Sequence, residues 1–168
     1  MQDWSDDTAY RLTTDAPPMV THPEILRVYH DGIKPQMHAL GYEVRIESGA
    51  RDLTEQANLY NAFIRGRGGR AVPPGRSAHN YGLAIDVGII PPDGSDLYAW
   101  SHTWKGRAAY RQLHEIAARY GLESLSFSDD PYHLQVKGWR QLAGVQQRYP
   151  SWSTGRTRGG FIVPHPHR

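Results

Sequence analysis

Two stretches of this chain hold residues that can do chemistry together. One is Ser77-Ala78-His79-Asn80-Tyr81-Gly82-Leu83-Ala84-Ile85-Asp86; the other, much further on, is Asp130-Pro131-Tyr132-His133. His79, Asp86 and His133 offer two imidazoles and a carboxylate, a donor set able to hold one zinc ion per chain. Three protein ligands leave tetrahedral zinc an open position, the arrangement of catalytic rather than structural sites. Asp130, three residues before His133, is a carboxylate available as general base for an attacking water, with Asp129 as its rival. Cysteine is absent, so disulfides and thiolate ligands are excluded and any zinc must be held by nitrogen and oxygen. The residues read as a zinc hydrolase.

Asp86 lies in the apolar run Leu83-Ala84-Ile85-Asp86-Val87, where a carboxylate is costly unless it is paired or bound to metal. Arg51 follows Ser48-Gly49 at the end of an expected strand. Its guanidinium can steady a substrate carbonyl oxygen or carboxylate as charge develops, or pair with a surface acid. Gln56 can face the same site from the following helix. Asp93 and Asp96 around Gly94 lack the full ligand pattern of a calcium loop and read as an ordinary turn. His22, His30, His38 and His114 read as surface or helix residues. His102, between Trp100 and Trp104, is a weaker candidate for a cleft contact, and His165-Pro166-His167 sits in an irregular tail.

The same residues carry a family resemblance. Ser77-x-His79-x-x-Gly82-x-Ala84-x-Asp86 followed by Asp130-x-x-His133 resembles the zinc peptidases of the D-alanyl-D-alanine carboxypeptidase group, which share a fold with the zinc domain of hedgehog proteins. Ser48-Gly49-Ala50-Arg51 and Glu55-Gln56-Ala57-x-Leu59-Tyr60 extend the match, which covers about residues 20 to 140. The resemblance implies His79, Asp86 and His133 as zinc ligands, Asp130 as base and Arg51 as a substrate and catalytic contact. It also implies a substrate contact for Ser77, which equally suits a loop residue making local backbone bonds. Asp-x-x-His in the second block, with His79-Asn80-Tyr81-Gly82, is most similar to enzymes that cut peptidoglycan stem peptides between L-alanine and D-glutamate, as phage endolysins do. The alternatives are a D,D- or L,D-carboxypeptidase that removes terminal D-alanine, and a hedgehog-like metal-binding module without turnover. Retention of Asp130 argues against the last, since binding alone needs no base.

The elements that must position these residues follow from pattern. Thr21-His22-Pro23-Glu24 predicts a helix start with Thr21 as cap, and Pro35 should break or kink that helix. Tyr42 to Glu47 alternates as a strand, and Asp52 with Glu55 opens a helix over Leu53 to Ile64. Residues 66 to 76 carry four glycines and two prolines and must be a loop. Leu83 to Gly88 reads as a buried strand. Ala109, Leu113, Ile116, Ala117 and Tyr120 give one apolar helix face that Gly121 is placed to end. Tyr132 to Val136 is a short strand, and Trp139 to Tyr149 a final helix. Helices flank short strands without βαβ alternation, so the expected class is α+β, with a small, mainly antiparallel sheet in one hedgehog/DD-peptidase-like domain. The expected layout is an irregular lead-in over 1–20, the zinc peptidase domain over 21–150 and a flexible basic tail over 151–168.

Composition narrows the partners. At 168 residues with 39% hydrophobic and 21% charged residues, one folded domain is the simplest reading. A net charge of +2 gives no reason to expect nucleic acid, and no apolar run is long enough to span a bilayer. The expected partner is the peptidoglycan stem peptide, met by a monomer. The acidic, polar start Met1-Gln2-Asp3-Trp4-Ser5 is unlike a secretory signal. A wall enzyme so built is expected to be made in a host cytoplasm and released at lysis. Arg65, Arg67, Arg70 and Arg76 crowd the glycine-rich loop, as solvated arginines or as a surface for stem-peptide carboxylates.

Overall fold

A computed structural model of the chain describes residues 20–125, 130–142 and 145. The order of elements is α1 (Pro23–Val28), a π-helical turn (Tyr29–Ile33), α2 (Lys34–Ala39), β1 (Val44–Ser48) and α3 (Leu53–Ile64). A 3-10 turn (Ala78–Tyr81) leads into β2 (Ala84–Ile89), followed by α4 (Leu97–Ser101) and α5 (Trp104–Ala118). The described chain closes with β3 (Leu122–Glu123), β4 (His133–Val136) and a 3-10 turn (Trp139–Gln141). The strands form one sheet in the order β1-β2-β4-β3, and every pairing is antiparallel. The expected α+β class with a small antiparallel sheet is the observed one.

The period-2 geometry of β2 sorts its side chains into two sets. Ile85, Val87 and Ile89 are fully buried, and Leu134 of β4 pairs with Ile85 and shares its face. They join Leu113, Ile116 and Ala117 of α5 in one core that also holds Ile25, Ile33 and Met37 from the N-terminal helices. Each fully buried Leu or Ile contributes roughly 1.5–3 kcal/mol of transfer free energy, so this core fixes the sheet register. The opposite set of β2 includes Ala84 and Asp86, which pair with Gln135 and His133 of β4. The polar residues of the two strands therefore meet on one face because the apolar ones are locked on the other.

Several expectations need correction. His22, not Thr21, caps α1: its Nδ1 accepts the Glu24 backbone N–H at 3.0 Å. Thr21 instead uses Oγ1 to accept the Ala50 N–H. His22, expected as a surface or helix residue, is buried where it caps α1. Of the two outcomes expected at Pro35, a break or a kink, the helix does not break. It has no N–H to give to the fourth residue before it, and the chain makes a π turn over Tyr29–Ile33 before resuming as α2. α3 has the expected limits, capped by Asp52 through the Glu55 N–H. The final helix expected from Trp139 starts as a 3-10 turn, and its remainder lies almost wholly outside the described residues. So do the lead-in up to residue 19 and the tail with its arginines and His165-Pro166-His167. Among the described residues no helix is long and apolar enough to cross a membrane.

Candidate metal centre

His79 sits in the 3-10 turn that delivers the chain to β2. Ser77 caps that turn by accepting the His79 N–H on Oγ, and Gly82 ends it in the left-handed region at φ 69°. A Cβ on Gly82 would lie 2.5 Å from the Val20 carbonyl oxygen, so both φ and space require glycine. The turn is stitched to the loop after β1: Arg51 N–H donates to the His79 carbonyl, and Asn80 Nδ2 donates to the Arg51 carbonyl, each at 3.0 Å. Asn80 Oδ1 accepts the Gly75 N–H, and Tyr81 Oη donates to the Gly75 carbonyl, which pins the end of the glycine-rich loop.

Asp86 and His133 come together through register, as direct cross-strand partners in β2 and β4. His79 Nε2 lies 3.2 Å from Asp86 Oδ1 and 3.2 Å from His133 Nδ1, and Asp86 Oδ1 lies 3.4 Å from His133 Nδ1. Neighbouring ligand atoms on tetrahedral zinc with bonds of about 2.0–2.1 Å are about 3.3–3.4 Å apart. The triangle has that size. Its polarity also fits: His79 Nδ1 donates to the Gly49 carbonyl at 2.8 Å, which leaves Nε2 as a lone pair directed at the other two donors. Converging lone pairs repel unless a cation lies among them. The histidines are 2% and 5% exposed, so water does little to relieve that repulsion. The donors therefore fit zinc, and among the described residues they form the cluster of His and carboxylate groups able to hold a metal.

Electrostatics agree with the geometry. Burial raises the Asp86 carboxyl, but without metal a proton held by His133 or His79 toward it outweighs burial and holds the group well below the usual carboxylate range. Burial lowers His133, while bonds to Asp86 and Gln135 bring its net shift upward. Asp130 behaves in the opposite way to Asp86. Burial, reinforced by the Asp86 charge, pushes its carboxyl up against the opposing influence of His133 and His79. A carboxyl raised in this way is a better proton acceptor.

Arg51 reaches the edge of the triangle, with Nη2 3.8 Å from Asp86 Oδ2. Its Nη1 donates to Gln56 Oε1 at 3.0 Å, and Gln56 Nε2 donates to the Val72 carbonyl at 2.8 Å. Gln56, expected to face the site from α3, is 1% exposed and holds Arg51 there. Ser77 is buried as well, with Oγ engaged in its own turn. His102 is exposed at the end of α4, where Nδ1 meets the Tyr98 carbonyl. Asp93 and Asp96 serve local turns, on Ser95 and as the cap of α4. Asp129 lies outside the described residues.

Sequence reasoning missed two contributors. His114, expected as a surface or helix residue, is half-buried on α5 and its Nε2 donates to the Pro131 carbonyl at 2.7 Å, tying down the Asp130–His133 turn. Its place on the helix, one residue after Leu113, gave a partial signal. Gln135 contacts the ring nitrogen of His133 that points away from the triangle. Its i+2 spacing from His133 on a strand was the available signal.

The comparisons with known proteins agree with this architecture. Residues 25–140 match the profile of VanY, the D-alanyl-D-alanine carboxypeptidase family. Over 110 residues the chain is 32% identical to the peptidoglycan L-alanyl-D-glutamate endopeptidase CwlK of Bacillus subtilis (strain 168), covering 63% of this chain and 65% of that protein. In fold it is similar to the LdcB LD-carboxypeptidase, with a TM-score of 0.53 and 19% identity over 78% of this chain and 64% of that one. It is also similar to the vancomycin resistance D,D-pentapeptidase VanY, solved in complex with Zn(II), with a TM-score of 0.51 and 20% identity over 77% of this chain and 78% of that one. The chain thus spans just under two thirds of the first two relatives. With the family profile matched across the sheet, the triangle and its flanking loops, the chain belongs to the VanY D-alanyl-D-alanine carboxypeptidase family.

Proposed function

We propose that the chain is a zinc-dependent peptidoglycan peptidase that cuts the stem peptide, with the L-alanyl-D-glutamate bond as its target. The observation that carries this reading is the zinc-sized triangle of His79, Asp86 and His133, with Asp130 three residues before His133 in the chain. When bound, zinc supplies Lewis-acid polarisation and lowers the pKa of water toward neutrality.

The chain supplies the rest. Asp130 takes the proton of the attacking water on its carboxylate and returns it to the leaving amine. Arg51, steadied by Gln56, offers its guanidinium to the developing charge on the scissile carbonyl or to a stem-peptide carboxylate. Ser77 shapes the turn that presents His79, and its hydroxyl hydrogen remains a candidate contact for substrate.

The endopeptidase reading is supported by the 32% identity to the Bacillus relative. The family profile, that of a carboxypeptidase, supports the alternative of terminal D-alanine removal. An endopeptidase of this kind acts on the cell wall, and we place the chain there as a lysis enzyme. Digestion of purified peptidoglycan followed by mass spectrometry separates the readings. New amino groups on D-glutamate, with L-alanine left on the glycan, are expected; free D-alanine as the main product selects the carboxypeptidase.

A further inference from the structure

β4 carries its second polar residue two positions after the metal ligand. His133 Nε2 lies 3.0 Å from Gln135 Oε1, and Gln135 Nε2 donates to Glu123 Oε1, also at 3.0 Å. Glu123 and Gln135 are direct cross-strand partners in β3 and β4. His133 and Gln135 are both 5% exposed, and Glu123 is half-buried.

The three groups form a chain whose polarity runs one way. A carboxylate accepts and cannot donate, so the Gln135 amide must turn its NH2 toward Glu123. Its oxygen then faces the imidazole, and an oxygen there is satisfied only by an N–H. His133 must therefore carry its proton on Nε2, with the lone pair on Nδ1. That nitrogen is the one 3.2 Å from His79 Nε2 and 3.4 Å from Asp86 Oδ1. The same logic fixes His79 from the other side by a backbone carbonyl, which is part of the fold and not replaceable by substitution. At His133 the choice is made by side chains.

We infer that Glu123 and Gln135 are positioning residues that select the His133 tautomer and so make Nδ1 a metal ligand. The inference rests on the zinc reading of the triangle. It places the control of metal affinity on a two-residue strand at the far edge of the sheet from β1. A group at position 123 that donates instead of accepting reverses the chain: the amide flips, its NH2 meets Nε2, and the proton is driven onto Nδ1, where it blocks the metal.

The test uses the full-length chain with zinc as the probe. Zinc affinity is measured by competition with a chromogenic chelator in the wild type, Glu123→Lys, Glu123→Gln and the double variant Glu123→Lys/Gln135→Glu. In parallel, imidazole 15N shifts of the metal-free proteins, at a pH alkaline enough to neutralise the ring, report the His133 tautomer. Glu123→Lys is expected to weaken zinc binding ~10–100-fold, the usual cost of losing a partner behind a metal ligand, and to move the proton to Nδ1. Glu123→Gln, which still offers an oxygen, is expected to stay near wild type. The double variant is expected to recover affinity, because the new carboxylate at 135 accepts both from the lysine and from Nε2–H. A Glu123→Lys protein that melts cooperatively, keeps the Nε2–H tautomer and binds zinc as the wild type does overturns the inference, as does a double variant no better than the single. Failure of the wild type to bind zinc sinks the zinc reading instead, while the tautomer shifts still decide the relay.

Discussion

Asp86 and His133 face each other across the β2–β4 ladder, with Oδ1 and Nδ1 3.4 Å apart, although 46 residues separate them in the chain, counted from their positions 86 and 133. A one-residue slip of β4 would turn His133 into the core and bring Leu134 opposite Asp86. The buried pair Ile85 and Leu134 forbids that slip, so the apolar core decides where the ligands meet.

Asp130 and the ligands are expected to part company under mutation. Asp130→Asn should bind zinc normally yet lose ~10²-fold or more in kcat, the usual contribution of a general base. Asp86→Ala should lose metal as well as activity. Zinc analysis beside turnover on peptidoglycan fragments checks both, and near-normal turnover in Asp130→Asn would transfer the base to Asp129.

The raised carboxyl of Asp130 has a consequence for stability in the metal-free protein. An acid whose folded pKa is raised holds its proton more tightly when folded than when unfolded. Stability therefore falls as pH rises from the unfolded value near 3.8 through the higher folded one, and the penalty is complete above it. Asp130→Asn removes that penalty. Its melting temperature should exceed that of the wild type at neutral pH, with the gap closing below pH 3.8. Equal melting temperatures at neutral pH would show that Asp130 carries no such cost.

Gly82 positions His79 through backbone alone. Gly82→Ala forces a side chain into the left-handed region and against the Val20 carbonyl, so it should destabilise the fold by ~1–3 kcal/mol and weaken zinc binding through the displaced turn. Chemical denaturation and chelator competition measure the two effects, and unchanged zinc affinity would uncouple the turn from the site.

The loop arginines offer a test of substrate reach. Neutralising Arg65, Arg67 and Arg70 together should raise KM on intact peptidoglycan and flatten its salt dependence, with little change in kcat, because remote charges contribute mainly uniform binding. An unchanged KM would reduce that loop to a solvated surface.

What could be read from the sequence follows physical range. α3 was legible to its ends because Asp52 and its apolar face are local signals. β2 was legible because a short apolar run bounded by glycines has the length and composition of a buried strand. The donors His79, Asp86 and His133 were picked out by the family resemblance of their two blocks, since an arbitrary His-x6-Asp is a weak signal by itself. The five-residue α4 and the two-residue β3 were not, since elements so short are stabilised by tertiary contacts rather than by their own propensity. His22 displaced Thr21 as a cap because Thr21 was already committed to Ala50, 29 residues away, a contact that no local pattern records. Gln56 was found but its contacts were not, as its partners Arg51 and Val72 became neighbours only on folding.

The central claim is that His79, Asp86 and His133 hold one catalytic zinc. Metal analysis of the purified chain and of a His79→Ala/His133→Ala variant, both dialysed against trace zinc, tests it most directly. One zinc per wild-type chain and essentially none in the variant are expected, with wild-type hydrolysis abolished by chelation and restored by zinc. Undiminished zinc in the double variant would contradict the claim.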